Sequence, residues 1–239
     1  MKHLLLLIGI ILLIFISQVM LYLFPLYGLI STVIISGLFL FFAVYDIYDL
    51  AAEEIFAYAS ILPLLSLLSF SLPWLTGLPH EITFYFLLLL ASELFYSFLP
   101  LRQKLYHSRS IIWLPLMILG GGILGLVLST FSPHGTTPLL WGLLTILISS
   151  IGEAVYFQGL IQNATTLLTD NILGVLFTVF LYGFFHITTH FNNLGLILVY
   201  MLLGSLIYMK WKNMYLVMAF YLSFQLLYFL IAHSLFLSQ

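Results

Sequence analysis

Apolar residues fill this chain in blocks long enough to cross a bilayer, and short polar clusters separate one block from the next. A spanning helix needs about 20 predominantly apolar residues. The blocks predict helices at about 4–24, 27–45, 55–76, 82–101, 111–131, 138–162, 171–190, 194–209 and 214–236. The interruptions are turn chemistry: Pro25, the run Thr76-Gly77-Leu78-Pro79, and Ser132-Pro133-His134-Gly135. A charged loop from Arg102 to Arg109 makes a further break. No block alternates with a strand's period of two, and unpaired backbone groups are costly in hydrocarbon. The fold class expected is all-α, a polytopic transmembrane helix bundle of about nine spans, or eight. The apolar run after Met1-Lys2-His3 reaches Phe24 without a small-x-small cleavage site, so it reads as a retained first span.

Composition narrows the picture. Of 239 residues, 63% are hydrophobic and 6% charged, and the mean hydropathy is +1.20. A water-facing surface cannot be built from six Lys and Arg and eight Asp and Glu; the bilayer is the expected partner. A net charge of −2 offers no clustered cations for phosphate, so no nucleic acid is expected. The absence of cysteine excludes disulfides, thiolate metal sites and S-acylation. No stretch is polar and long enough for a separate soluble domain. The chain reads as one integral membrane domain, with about four spans in residues 1–110 and a core in 111–239.

The basic residues set an orientation. With the N-terminus inside, Lys2, Arg102, Lys104, Arg109, Lys210 and Lys212 all fall on the cytoplasmic side, and the opposite orientation places none there. The expectation is a multi-pass cell-membrane protein with a cytoplasmic N-terminus and an external C-terminus. The acidic segment Asp46 to Glu54 also lies inside and reads as a solvated helix start.

Ionisable groups within a span are expensive and are functional candidates by default. Glu93, Glu153, His186 and His190 qualify, and Tyr221 and Gln225 are polar residues four apart on one helix face. At 1.5 Å per residue, Glu153 lies roughly 15 Å from the cytoplasmic end of its predicted helix, His186 roughly 22 Å, Gln225 about 18 Å, and Tyr221 and Glu93 about 12 Å. This depth band allows them to meet; local pairing that glues helices together is the alternative. His186 and His190 have the spacing by which two imidazoles share a metal. Gly120-Gly121-Gly122 with Gly125 reads as close helix packing. The sequon at Asn163-Ala164-Thr165 falls on the cytoplasmic side and is set aside.

The segment Ile151-Gly152-Glu153-Ala154-Val155-Tyr156-Phe157-Gln158-Gly159 resembles the first motif, Glu-Glu-x-x-x-Arg, of the CAAX-protease and bacteriocin-processing (Abi) family of intramembrane proteases. Tyr182-Gly183-Phe184-Phe185-His186 resembles the second motif, Phe-x-x-x-His, with Tyr for Phe. Leu203 to Tyr208 and Asn213-Met214-Tyr215 are similar to the helix and turn before the third motif, His-x-x-x-Asn. That alignment puts Tyr221 at the His and Gln225 at the Asn. The resemblance covers about residues 111–230. The second Glu is Ala154, the Arg is Gln158, and neither residue of the last motif is kept; Glu153 and His186 carry over as matches.

The resemblance implies an intramembrane endopeptidase in which Glu153 and His186 activate the attacking water, cleaving a peptide near the cytoplasmic leaflet. Peptide hydrolysis needs a base and donors aimed at the developing negative charge. Tyr221 and Gln225 both donate hydrogen bonds, so they replace the family's oxyanion-stabilising pair in kind. The catalytic set expected is Glu153, His186, Tyr221 and Gln225, with Glu153 and His186 hydrogen-bonded to each other and Glu93 a weaker addition. No cofactor is expected; if a metal such as zinc were bound, its ligands would be Glu153, His186 and His190. Two further readings stand beside this one. A family member without catalysis would act as a membrane scaffold for a partner enzyme. A small transporter would use Glu93, Glu153 and His186 as a proton relay, although no inverted repeat is visible.

Overall fold

The computed structural model describes residues 2–45, 50–76, 79–98, 108–129, 139–186 and 194–237. Four helices come first: α1 (Lys2–Leu23), α2 (Pro25–Val44), α3 (Leu50–Thr76) and α4 (His80–Phe98). A 3-10 turn, Ser108–Trp113, leads into α5 (Leu114–Ser129). A single continuous rod follows, made of α6 (Leu139–Glu153), a π-helical segment (Ala154–Gln162) and α7 (Asn163–Leu168). The last three are α8 (Asn171–His186), α9 (Leu194–Trp211) and α10 (Met214–Leu237). Among the described residues this makes nine helical rods and no strand, as the apolar blocks predict. Seven of them are long and apolar enough to cross a membrane, and the apolar stretches Ile82–Phe95 and Asn171–His186 are shorter.

The pattern of burial is that of a protein solvated by lipid. Leu26, Ile112 and Leu140 are each at least 71% exposed, whereas Ser17, Thr32, Ser66, Ser150 and Thr178 are buried. Hydrocarbon welcomes the apolar side chains and leaves polar ones to find partners inside the bundle. Gln18 does so by donating to Ser66 Oγ at 3.0 Å, which ties α1 to α3.

Two boundaries differ from the sequence reading in ways that matter for the site. The sixth rod runs on to Leu168 instead of ending near 162. By the same rise per residue, Glu153 then stands about 22 Å from the cytoplasmic end of its rod rather than about 15 Å. The π-helical segment begins right after Glu153 and all nine of its side chains are buried; such segments are rare and gather at functional sites. The third rod, in turn, begins at Leu50, through the acidic segment.

Close packing fixes α10. A Cβ on Gly121 would collide with Ser223 Oγ and the Phe220 carbonyl, and one on Gly125 with the Phe224 carbonyl. The small stripe of α5 therefore brings two backbones together, the role expected of it. At the α9–α10 turn, Lys212 takes a positive φ of 48°. Asn213 Oδ1 accepts the Tyr215 N–H at 2.9 Å, and Asn213 Nδ2 donates to Ser110 Oγ at 2.9 Å. Both bonds seat the start of α10 beside the start of the fifth rod.

Candidate active site

Glu153 closes α6 and is 1% exposed. Its carboxylate is held by side chains of four other helices, Tyr85 of α4 among them. Tyr182 of α8 donates to Oε1 at 2.5 Å, Tyr200 of α9 donates to Oε2 at 2.7 Å, and Gln225 of α10 reaches Oε2 at 3.3 Å. The Gln225 amide also donates to the Tyr200 hydroxyl at 2.6 Å, and Gln225 Oε1 accepts from Ser149 Oγ at 2.5 Å. Ser149 lies one turn before Glu153 on the same face of α6, so both ends of the Gln225 amide are gripped by that rod's side chains. A carboxylate stays charged in hydrocarbon only when hydrogen-bond donors replace its water, and this cluster supplies them.

The cluster lies at a cavity of about 360 Å³, whose walls include Tyr85, Ile146, Leu196, Phe224 and Phe229. Glu153, Ser149, Tyr182, Tyr200 and Gln225 all line it. A carboxylate and an amide thus face the same space, apolar elsewhere, large enough to hold a side chain and a water.

Of the four residues expected to be catalytic, Glu153 and Gln225 meet at this cavity. His186 does not bond to the carboxylate. Its ring packs at 4.4 Å on that of Tyr182 and at 5.9 Å from Phe84, so the expected direct pair is replaced by contact through Tyr182. One helical turn separates Tyr182 from His186, and it is the tyrosine whose hydroxyl reaches Glu153. Tyr221 is fully buried and absent from the cavity wall. Its ring stacks at 4.2 Å on the far side of Tyr200, its hydroxyl accepts from Gln158 Nε2 at 2.7 Å, and it donates to Met201 Sδ at 3.2 Å. Gly204 makes the room: a Cβ there would run into the Tyr221 ring and hydroxyl. Glu93 is exposed on α4 and does not line the cavity, so the proton relay loses one of its members. His190 lies outside the described residues, as do Arg102 and Lys104.

Four contributors were not picked out from sequence, and Tyr85 of α4, outside every motif, had no signal at all. Tyr182 had a signal, since it fills the first position of the second motif. Ser149 had a faint one, being four residues before Glu153. Tyr200 had none beyond being a tyrosine in mid-span.

Among the described residues no three of His, Cys, Asp and Glu gather as metal ligands. The groups that converge on Glu153 are hydroxyl and amide donors, which suit a carboxylate held by hydrogen bonds rather than one shared with a cation.

Residues 135–234 match the family model described as type II CAAX prenyl endopeptidase Rce1-like. No curated protein and no solved structure matches the chain. The matched stretch contains Glu153, Gln158, His186, Tyr200, Tyr221 and Gln225, so the likeness to CAAX-type intramembrane proteases, first read from the motifs, covers these residues at family level, while Pro79 and Tyr85 of the cavity lie outside it.

Proposed function

We propose that this chain is an intramembrane endopeptidase in which Glu153 is the general base. The observation that carries the reading is a buried carboxylate, gripped by three tyrosine hydroxyls and an amide, facing a largely apolar cavity open enough to take substrate. An ionised carboxylate offers about four acceptor positions, and Tyr182, Tyr200, Tyr85 and Gln225 occupy them, so the attacking water takes the position that Gln225, the long bond at 3.3 Å, gives up. It takes a proton from that water as the oxygen attacks the scissile carbonyl carbon. The carbonyl π pair moves onto its oxygen, and the Gln225 N–H that reaches Glu153 at 3.3 Å, the longer of its two bonds, turns to stabilise it, with the Tyr200 hydroxyl beside it. Collapse breaks the C–N bond, and the proton on Glu153 passes to the leaving nitrogen. Carboxylic acid and amine are released. His186 acts at one remove, by setting the Tyr182 ring. Only peptide hydrolysis is carried over from the family description; the prenyl group in its name is not.

The test is cleavage of membrane-tethered peptides by the purified protein in lipid. Glu153→Gln keeps the shape but cannot accept the proton, and should lower the rate by about 10²–10⁴-fold. No step above runs through a metal, so a chelator should leave the rate unchanged. Activity that vanishes on chelation and returns with zinc would overturn the mechanism and bring His190 into question as a ligand.

The scaffold reading keeps one observation in its favour. Gln158 and Tyr221, which stand where the family has Arg and His, hydrogen-bond each other in a buried layer, where Gln158 Oε1 is left without a partner, and put no charge there. Cellular function that survives Glu153→Gln would favour it.

A further inference from the structure

Successive rods reverse direction through the bundle, so the cavity can be assigned to one face. Pro79 precedes α4, Gly142 lies in the first turn of α6, Leu196 and Ile197 in the first turn of α9, and Phe229 in the outer half of α10. The starts of the fourth, sixth and eighth rods and the end of the ninth share an end of the bundle. All six Lys and Arg are at the other end or in the segments that join rods there. Two contacts mark that other end independently: Lys212 Nζ with Asn171 Oδ1 at the start of α8, 3.4 Å, and Asn213 with Ser110. The basic end is the cytoplasmic one by the distribution of Lys and Arg.

The walls also say what fits. Their aromatic and aliphatic side chains are Tyr85, Ile146, Leu196, Ile197, Phe224 and Phe229, among others, and among the described lining residues there is no Lys, Arg or His. The one carboxyl group among the described lining residues is that of Glu153. A ligand carrying a free carboxylate would set a second carboxyl group beside Glu153 where no described residue supplies a counter-ion, which is disfavoured. An internal stretch of apolar chain brings only amides, whose carbonyls find the Tyr and Gln donors at the inner end.

We propose that the cavity admits, from the extracytoplasmic face, an uncharged apolar peptide segment internal to its chain rather than a free C-terminus. This reverses the expectation of cleavage near the cytoplasmic leaflet. It rests on the protease reading only for the fate of the segment, not for its entry.

The chain has no cysteine, so single-cysteine labelling tests entry without any assay of activity. Ile197→Cys and Thr145→Cys, both on the cavity wall, should react with a membrane-impermeant maleimide in intact cells. Ser108→Cys, at the basic end, should react only after permeabilisation. A capped, uncharged Leu/Phe hexapeptide should slow labelling of Ile197→Cys, and the same peptide with a free C-terminal carboxylate should protect about tenfold less well. Labelling of Ile197→Cys and Thr145→Cys only after permeabilisation, or at neither condition, would overturn the direction of entry. Equal or better protection by the free acid would overturn the substrate class. Protection by the capped peptide without any cleavage of it in lipid would count against the protease reading alone and leave the binding inference standing.

Discussion

Two polar layers lie back to back in the same helices and differ in nearly everything that matters for chemistry. The layer around Glu153 joins α4, α6, α8, α9 and α10 through a carboxylate, three hydroxyls and an amide, and it faces a cavity. The layer around Gln158 joins the π-helical segment, α9 and α10 through an amide, a hydroxyl and a thioether. Gln158, Tyr221 and Met201 are all 0% exposed. Stacked Tyr200 and Tyr221 form the wall between the two. The first layer holds a carboxyl group and lines a cavity; the second has no carboxyl group or basic side chain and is closed. The departures from the family pattern at 158 and 221 meet one another in the closed layer. There they form a hydrogen-bonded neutral pair, with Gln158 Oε1 left over, instead of two independent losses.

The difference can be broken most sharply at its boundary. Tyr200→Phe removes one hydroxyl from the open layer while keeping the stack on Tyr221. If Tyr200 helps hold the developing oxyanion, cleavage per folded molecule should fall by about 10²–10³-fold, alongside a stability loss of about 1.5–3 kcal/mol from its bonds to Glu153 and Gln225. A rate within a factor of a few of the parent would remove Tyr200 from the mechanism.

Gly204→Ala attacks the closed layer. The added methyl meets the Tyr221 ring, and overpacking of this kind costs about 1–3 kcal/mol. The protein should unfold at a lower temperature or denaturant concentration, while cleavage per folded molecule stays near the parent value. A normal melt would mean that Tyr221 moves aside at no cost.

Tyr221→Phe is the mildest probe. It deletes the acceptor of the Gln158 amide and the donor to Met201, worth about 1 kcal/mol of stability as a hydrogen bond. Activity per folded molecule should change far less than with Tyr200→Phe. A loss as large as that of Tyr200→Phe would restore Tyr221 as an oxyanion donor and erase the distinction between the layers.

Sequence alone determined the solvent, the architecture and the segment that holds the site. Runs of about 20 apolar residues admit only spanning helices, because backbone groups must pair within the helix in hydrocarbon. Glu153 stood out because a carboxylate inside such a run is costly, and Gly121 and Gly125 announced the α5–α10 approach. Motif spacing placed Tyr221 and Gln225 four apart on one face, yet the two belong to different layers: Gln225 reaches Glu153 and Tyr221 reaches Gln158. That choice was decided by the π-helical segment and the stacking of Tyr200 on Tyr221. The first sets which side chains of the sixth rod turn toward α9, and the second depends on the gap left at Gly204. Tyr200 entered the site, and His186 withdrew to the ring of Tyr182, for the same reason. Spacing along a chain fixes the face and approximate depth of a side chain within its own helix, but the partner it meets depends on rotations and offsets between helices, which packing alone sets.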